Sequence, residues 1–426
     1  MKCPVSDLRT GFDPLDLAQQ EDRYQLWAYA REQEPVFYSE PFDVWFITRW
    51  ADVEAAQKDH AHFSTEPVFF PSKPWPQPVR EVLDRGYSWH YFLSNNDPPE
   101  HTPLKKAVSK AFTRTQTRSL EARIEEIAAE LVDSFAASGR VDVGAALAYS
   151  FPAYVVLEII GFPREDMERL KGWGDDWLTL FSDSADVETL VTAAEGFVSF
   201  QNYVLDHLRE RQREPREDLL SHLLEELHRD PAVNLGLEDI VNVPINIMSA
   251  GHETGTLLML GILSQLLADR ELLARVEDHR ELIPDLVEEA LRYEPPVHGI
   301  FRVTKASVEV AGTTIPAGAR VLLCYGSANH DPEVFAEPER FDPDRADVGN
   351  HFGFGKGTHF CPGAPIARLE QRVALEALFD RCPNLRLADD QEPRRFIHFW
   401  LRGYRELWLE WDPDAAALPP AGGGGR

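Results

Sequence analysis

Residues 354–363 read FGKGTHFCPG, gathering three glycines, one proline, one histidine and one cysteine into ten positions. Glycine loses more backbone freedom on folding than any other residue, so this density around one thiol asks for a reason. A lone cysteine is ordinarily a small buried hydrophobe, and Cys3, Cys324 and Cys382 read that way. Cys361 is different. It ends a polar loop and directly precedes PGAPIARLEQRVALEALF, whose apolar residues recur at helical spacing. A thiol at that junction faces unpaired N–H groups and the positive end of the helix dipole, both of which favour thiolate.

A thiolate so placed is a nucleophile or a metal ligand. His359, two residues away on an extended loop, would lie beside the thiol, where a general base is poorly placed. A zinc site needs about four ligands, and His351, His359 and Cys361 have no second cluster to complete one. The chemistry that remains is a single axial bond to haem iron. Gly355, Gly357 and Gly363 would then let backbone approach a flat macrocycle and aim amides at the sulfur. At every fixed position the stretch resembles the ligand motif Phe-Gly-x-Gly-x-His-x-Cys-x-Gly of the cytochrome P-450 family. The resemblance implies Cys361 as the proximal ligand of haem b, Phe354 packed near it, Gly355 and Gly363 in the cofactor loop, and His359 on a haem propionate.

Other segments resemble the same family and fall in its order between residues 97 and 363. EALR sets Glu289 and Arg292 on one helix face, and PERF (338–341) adds Arg340, which the resemblance joins to them in a buried ionic triad. SAGHETGT (249–256) puts an acid and a hydroxyl amid strongly apolar flanks, where an unpaired charge is costly. It resembles the family's oxygen-binding groove, where the helix opens locally. Ala250 and Gly251 would line haem, while Glu253 and Thr254 would pass protons. A second Thr or Ser usually follows in the family; here Gly255 stands in its place. DPPEHTPLKKAVSKAF (97–112) resembles the helix across the haem edge, with His101 and Lys105 as propionate partners, and Arg302 in GIFRVT matches a further one.

The rest of the chain agrees. Its 426 residues, 43% hydrophobic and 27% charged, describe a globular protein, and a net charge of -28 argues against nucleic acid or an anionic membrane as partner. The start lacks a signal-peptide core, and TLLMLGILSQLLA (256–268) is too short to cross a bilayer, so a cytoplasmic enzyme is expected. Long amphipathic runs with a few short β-rich pieces predict a mainly α (α+β) architecture: one haem domain over 1–412, then a Pro-, Ala- and Gly-rich tail or linker over 413–426.

The resemblance implies a haem-thiolate monooxygenase that uses O2 and electrons from NAD(P)H. A peroxygenase driven by hydrogen peroxide, or a haem sensor or electron carrier, would have no need of Glu253 and Thr254. With no flavin fingerprint or iron–sulfur cysteine set, electrons would come from a ferredoxin and its reductase, or from a reductase fused after the tail. Lys105, Lys106, Lys110, Arg114 and Lys356 would form the local basic docking face. Segments matching the family's substrate contacts offer Trp89, Phe92, Trp177, Phe181 and Phe399, with Asn246, Val297 and Ile300, which suggests a compact aromatic or other hydrophobic substrate, hydroxylated or O-demethylated.

Overall fold

A computed structural model describes residues 5, 7–66, 74–87, 92–181, 185–229 and 236–413. Trp89 and the tail beyond Pro413 lie outside them, as does the side chain of Arg114.

The spine is the helix Asn242–Ala268, apolar on nearly all sides and buried along most of its length, as a helix enclosed by others must be. The helix Ser150–Ile160 lies against it so closely that a Cβ on Gly251 would come within 2.6 Å of Val156, and one on Gly255 within 2.9 Å of Pro152. Gly255 is therefore explained by packing. The helix that follows Cys361, Ala364–Arg381, packs along Arg114–Asp133 and crosses the spine at the same place, where Gln371 Nε2 donates to the Gly255 carbonyl at 3.4 Å. This crossing brings the cysteine loop and the Ala250–Thr254 segment to one region.

The β-rich pieces form a five-stranded sheet, in the order Val36–Ser39, Val44–Ile47, Arg320–Leu323, Ile300–Thr304, Phe63–Ser64. Side chains alternate across it. Phe46, Leu322 and Phe301 face an N-terminal cluster containing Phe12, Leu26 and Trp27, whereas Ile47, Val321, Leu323 and Ile300 face Tyr325 and Phe352. Arg302 pairs with Val321 in the register, so it points to the Ile300 side, toward the cysteine loop. The hairpin at 308–315 turns through Ala311 and Gly312, both at positive φ, and a three-stranded sheet joins Arg140–Asp142, Trp408–Glu410 and Arg386–Leu387. Helices with minor sheets match the expected mainly α architecture. Among the described residues, no helix is long and apolar enough to cross a membrane.

Candidate active site

The loop before Cys361 is shaped by its glycines and by neighbours that grip its backbone. Gly355 and Gly357 both take φ near +65°, which an L side chain adopts only with strain. A Cβ on Gly355 would also crowd Gln57 and Tyr325. Gln57 Nε2 donates to the Lys356 carbonyl at 2.8 Å, His60 Nε2 lies 3.0 Å from Thr358 Oγ1, and the Cys361 N–H donates to the Phe354 carbonyl at 2.9 Å. Burial pushes the Cys361 thiol up, while backbone N–H groups of Gly363 and Ala364 and the charges of Lys105 and Arg368 pull it down. The amides at the start of the next helix thus point at sulfur, as the sequence suggested.

Beside the loop, donors converge without acceptors. His101 is fully buried, its ring 4.1 Å from that of His359, and both its nitrogens lack partners, as do His359 Nε2 and Arg302 Nη2. Burial and then the neighbouring positive groups, Lys105 for His101 and His101 with Arg302 for His359, hold the rings neutral, at about 4 and about 2. So many buried donors are costly unless anions meet them, and the carboxylates of a haem are anions of that kind. The donor set fits the group. Lys105 takes a different partner from the expected one: its ammonium donates to the Phe360 carbonyl on the cysteine loop itself. Asp97 steers His101 into place. Burial raises its carboxyl, but Lys305 at 2.8 Å and the hydroxyls of Ser64 and Thr65 outweigh that and hold it at about 2.

The spine helix is continuous through SAGHETGT, so the local opening expected there is absent. Instead the Thr254 hydroxyl donates to the Ala250 carbonyl at 2.7 Å. Ala250 is exposed and Gly251, Glu253 and Thr254 partly so, in a helix buried elsewhere, which marks a cleft along this face. Glu253 is pushed up by burial, opposed by Lys171 and Arg405 and assisted by Asp175; Lys171 and Asp175 themselves pair at 2.5 Å. His252 turns away, Nε2 donating to the Tyr149 carbonyl at 2.8 Å. Sequence reading missed Glu370, whose carboxylate lies 3.5 Å from where a Gly255 Cβ would be. Burial alone acts on it and raises it well above the usual range. An acid on an otherwise regular helical pattern reads as a solvated charge, and only the crossing at Gly255 shows otherwise.

The sequence profile of the Cytochrome P450 family matches residues 179–400. The chain is 35% identical over 388 residues to the mycinamicin IV hydroxylase/epoxidase of Micromonospora griseorubida, covering 89% of this chain and 94% of that one. The chain belongs to the cytochrome P450 family. Its fold superposes on the P450 haem domain of Tepidiphilus thermophilus with a TM-score of 0.87 at 29% identity, over 95% of this chain and 98% of that one. An intact type IV self-sufficient P450 monooxygenase matches with a TM-score of 0.87 and 30% identity, over 97% of this chain but 54% of that longer one. As a bacterial-type P450, the protein is a haem-thiolate monooxygenase that acts on small molecules and takes electrons from NAD(P)H through redox partners.

Within this P450 several expected placements need correction. Glu289 and Arg292 do pair, by two contacts of 2.8 Å, both side chains fully buried. Arg340 is not their third partner: its side chain is 64% exposed, and Arg345, 5% exposed, reaches Glu289 at 3.0 Å. The PERF segment contributes carbonyls instead, Pro338 and Arg340 accepting from Arg292, because its backbone turns inward while its side chain turns out. Phe92 and Trp177 stack on one another at 5.0 Å and are closed into the core, so neither offers an open wall. Phe399 packs on Phe301, across the sheet from Ile300 and Arg302. Phe181 is half-buried with its edge to Trp177, Asn246 is buried on the spine, and Val297 and Ile300 are partly accessible. On the basic face Lys110 is taken up by Glu226, and Lys356 lies over the rings of Trp50 and Phe352, 4.6 and 5.0 Å from their centroids.

Proposed function

We propose that Cys361 is the proximal haem ligand, that His101, His359 and Arg302 receive the propionates, and that Glu253, Thr254 and Glu370 manage protons on the other side. The observation that carries this reading is the set of buried, unpartnered donors beside the cysteine loop. When bound, the haem supplies reductive activation of dioxygen and transfer of one oxygen atom to the substrate, favoured by thiolate donation.

The chain's own groups do the rest. The Gly363 and Ala364 amides and Lys105 oppose, without cancelling, the burial that raises the Cys361 thiol, and would favour negative charge on sulfur when iron is bound. Thr254, its proton given to Ala250, presents its lone pairs to the cleft and accepts a hydrogen bond from whatever proton carrier stands there. Glu253 and Glu370, both raised by burial, keep a proton at pH values where a free carboxylic acid has lost it, which suits a donor. Lys171 and Asp175 link Glu253 toward the surface. Gly255 supplies no hydroxyl, and the Glu370 carboxyl, 3.5 Å from where its Cβ would stand, would take over that position's polar role.

The substrate on this reading is an apolar small molecule met by aliphatic groups, Ala250, Val297 and Ile300 among them, since the stacked Phe92 and Trp177 are closed off. The relative's mycinamicin IV is compatible with such a wall. Among the described residues of the expected aromatic wall, a compact aromatic retains only Phe181. A cytoplasmic setting and a separate ferredoxin donor belong to the same proposal, with a fused reductase as the other source of electrons. Two measurements test it. Cys361→Ser should abolish the thiolate Soret band of the reduced carbon monoxide complex, and retention of that band would overturn the ligand assignment. A spin-state screen should give high-spin shifts with bulky apolar rings; shifts confined to small phenols and anisoles would instead restore the aromatic pocket.

A further inference from the structure

Phe354 is gripped on its outer face by a charge that the family motif does not contain. The Arg368 guanidinium carbon lies 4.6 Å from the Phe354 ring centroid, over its face, where the ring quadrupole attracts a cation. Arg368 does not float there. Its Nε and Nη2 donate to the two oxygens of Glu288 at 2.5 and 2.8 Å, the bidentate geometry that fixes a guanidinium plane. Glu288 is fixed in turn by His351. The Gly353 N–H donates to His351 Nδ1 at 2.9 Å, which leaves the ring proton on Nε2 to donate to Glu288 Oε2 at 3.1 Å. Burial raises Glu288, yet Arg368 and His351 hold it at about 2, so it stays charged. The result is a chain of oriented contacts, His351 to Glu288 to Arg368 to Phe354. Phe354 in turn holds the backbone of Cys361, its carbonyl accepting from the Cys361 N–H at 2.9 Å.

We propose that Arg368, clamped by Glu288 over Phe354, is a positioning residue that sets the electron donation of the Cys361 thiolate and hence the reduction potential of the bound haem. The proposal rests on Cys361 being the ligand. Three effects act in one direction. The cation, by its field, stabilises negative charge on sulfur through space. It draws electron density from the ring, and by fixing the ring it fixes the carbonyl that orients the Cys361 amide. A thiolate stabilised in this way donates less to iron, so the reduced state, which carries one more electron, is favoured. Two-fifths of the Arg368 side chain is exposed, so water screens part of the charge and the effect is moderate.

The test uses the haem-loaded full chain. Ferric–ferrous midpoint potentials would be measured spectroelectrochemically for the parent, Arg368→Gln, Arg368→Lys and Glu288→Gln, together with the C–O stretching frequency of each reduced carbon monoxide complex. Arg368→Gln should move the potential to more negative values, cutting the ferrous fraction at a fixed ambient potential by roughly threefold to tenfold, the scale of one partly screened charge. Its C–O stretch should fall as sulfur donates more. Glu288→Gln, which leaves the guanidinium charge uncompensated, should move both readouts the opposite way by less, and Arg368→Lys should recover part of the Arg368→Gln loss. A purely structural role would alter haem content or melting temperature but leave both readouts in place. If Arg368→Gln retains the thiolate Soret band while potential and stretch match the parent, the proposal is wrong though the ligand assignment stands. If the parent itself lacks that band, the ligand reading fails first. Should Arg368→Gln not fold, Glu288→Gln carries the measurement, and unchanged values there count against the clamp.

Discussion

The cysteine loop and the middle of the Asn242–Ala268 helix serve the same cleft and are built in opposite ways. The loop is over-determined. Two glycines at positive φ set its path, and Gln57, His60, Lys105 and the Phe354 carbonyl each hold a backbone or side-chain atom of it. The helix segment is under-satisfied. Glu253 on it and Glu370, packed against it from the helix Ala364–Arg381, are raised by burial, and Thr254 has spent its proton on its own helix. A ligand that must sit at one distance from iron calls for rigidity, whereas groups that pass protons must tolerate two states. The contrast predicts that substitutions on the two sides fail differently.

The largest effect is expected on the helix side. Glu253→Gln removes a proton carrier while keeping size and hydrogen bonding, and should slow turnover by roughly 10²- to 10⁴-fold, the usual scale for a positioned acid or base. Its reduced carbon monoxide spectrum should match the parent, because the loop is untouched. Single-turnover product formation and that spectrum, measured together, check it. A spectrum that changed with the rate would mean the two sides are mechanically coupled and the contrast is false.

On the ligand side the buried triad sets the next largest effect. Glu289 is compensated by Arg292 and Arg345, so Arg345→Ala strands part of a buried charge and should destabilise the protein by about 3–5 kcal/mol. Arg340→Ala should cost under about 0.5 kcal/mol, as expected of an exposed side chain. Urea unfolding of the pair decides between them. Equal losses would return Arg340 to the triad.

That pair also shows what the sequence could carry. The cysteine loop was legible because its function is local: ten consecutive residues hold the glycines, the ligand and the helix start. Glu289 and Arg292 were legible for the same reason, being one helical turn apart. The third arginine was not, since Arg340 and Arg345 stand five residues apart in one loop and only the fold decides which side chain turns inward. Phe399 failed because it lies in a bend after the strand Arg394–Ile397 and packs on Phe301, and only the pairing of the Ile300–Thr304 strand puts Phe301 on the face opposite Arg302. Glu370 was hidden because helical spacing cannot tell a solvated acid from one buried at a crossing.

Between the two sides lies Asp97, which holds the segment before His101. Its folded pKa of about 2 is below the ordinary carboxylate value, so its stabilisation is fully present above roughly pH 4 to 5 and is lost as pH falls toward 2. Asp97→Asn should therefore cost on the order of 1–2 kcal/mol near neutrality, after allowing for a half-exposed Lys305. The gap between parent and variant should close as the pH is lowered. Unfolding free energies measured at a series of pH values report the gap, and one that stayed constant down to pH 3 would show that the Asp97 charge contributes nothing.

The smallest effect belongs to Lys356, on the outer surface of the loop. Held over Trp50 and Phe352, its ammonium is partly withdrawn, and burial lowers its pKa. Lys356→Glu loses a cation–π contact of about 0.5–1 kcal/mol and reverses one charge on the face assigned to an acidic electron donor. Reduction by added ferredoxin should slow by only about twofold to tenfold, with the difference vanishing at high salt, because a surface charge acts chiefly on encounter. The contrast with Lys106 sharpens this point. Lys106 is exposed on the neighbouring helix His101–Ala111, free of any aromatic shelf in the described structure, so Lys106→Glu should slow reduction more than Lys356→Glu at low salt. Stopped-flow reduction across a salt series measures both. If Lys356→Glu were the slower variant, the ammonium must leave its aromatic shelf when the donor arrives, and the loop would be less rigid on its outer side than on the side facing sulfur.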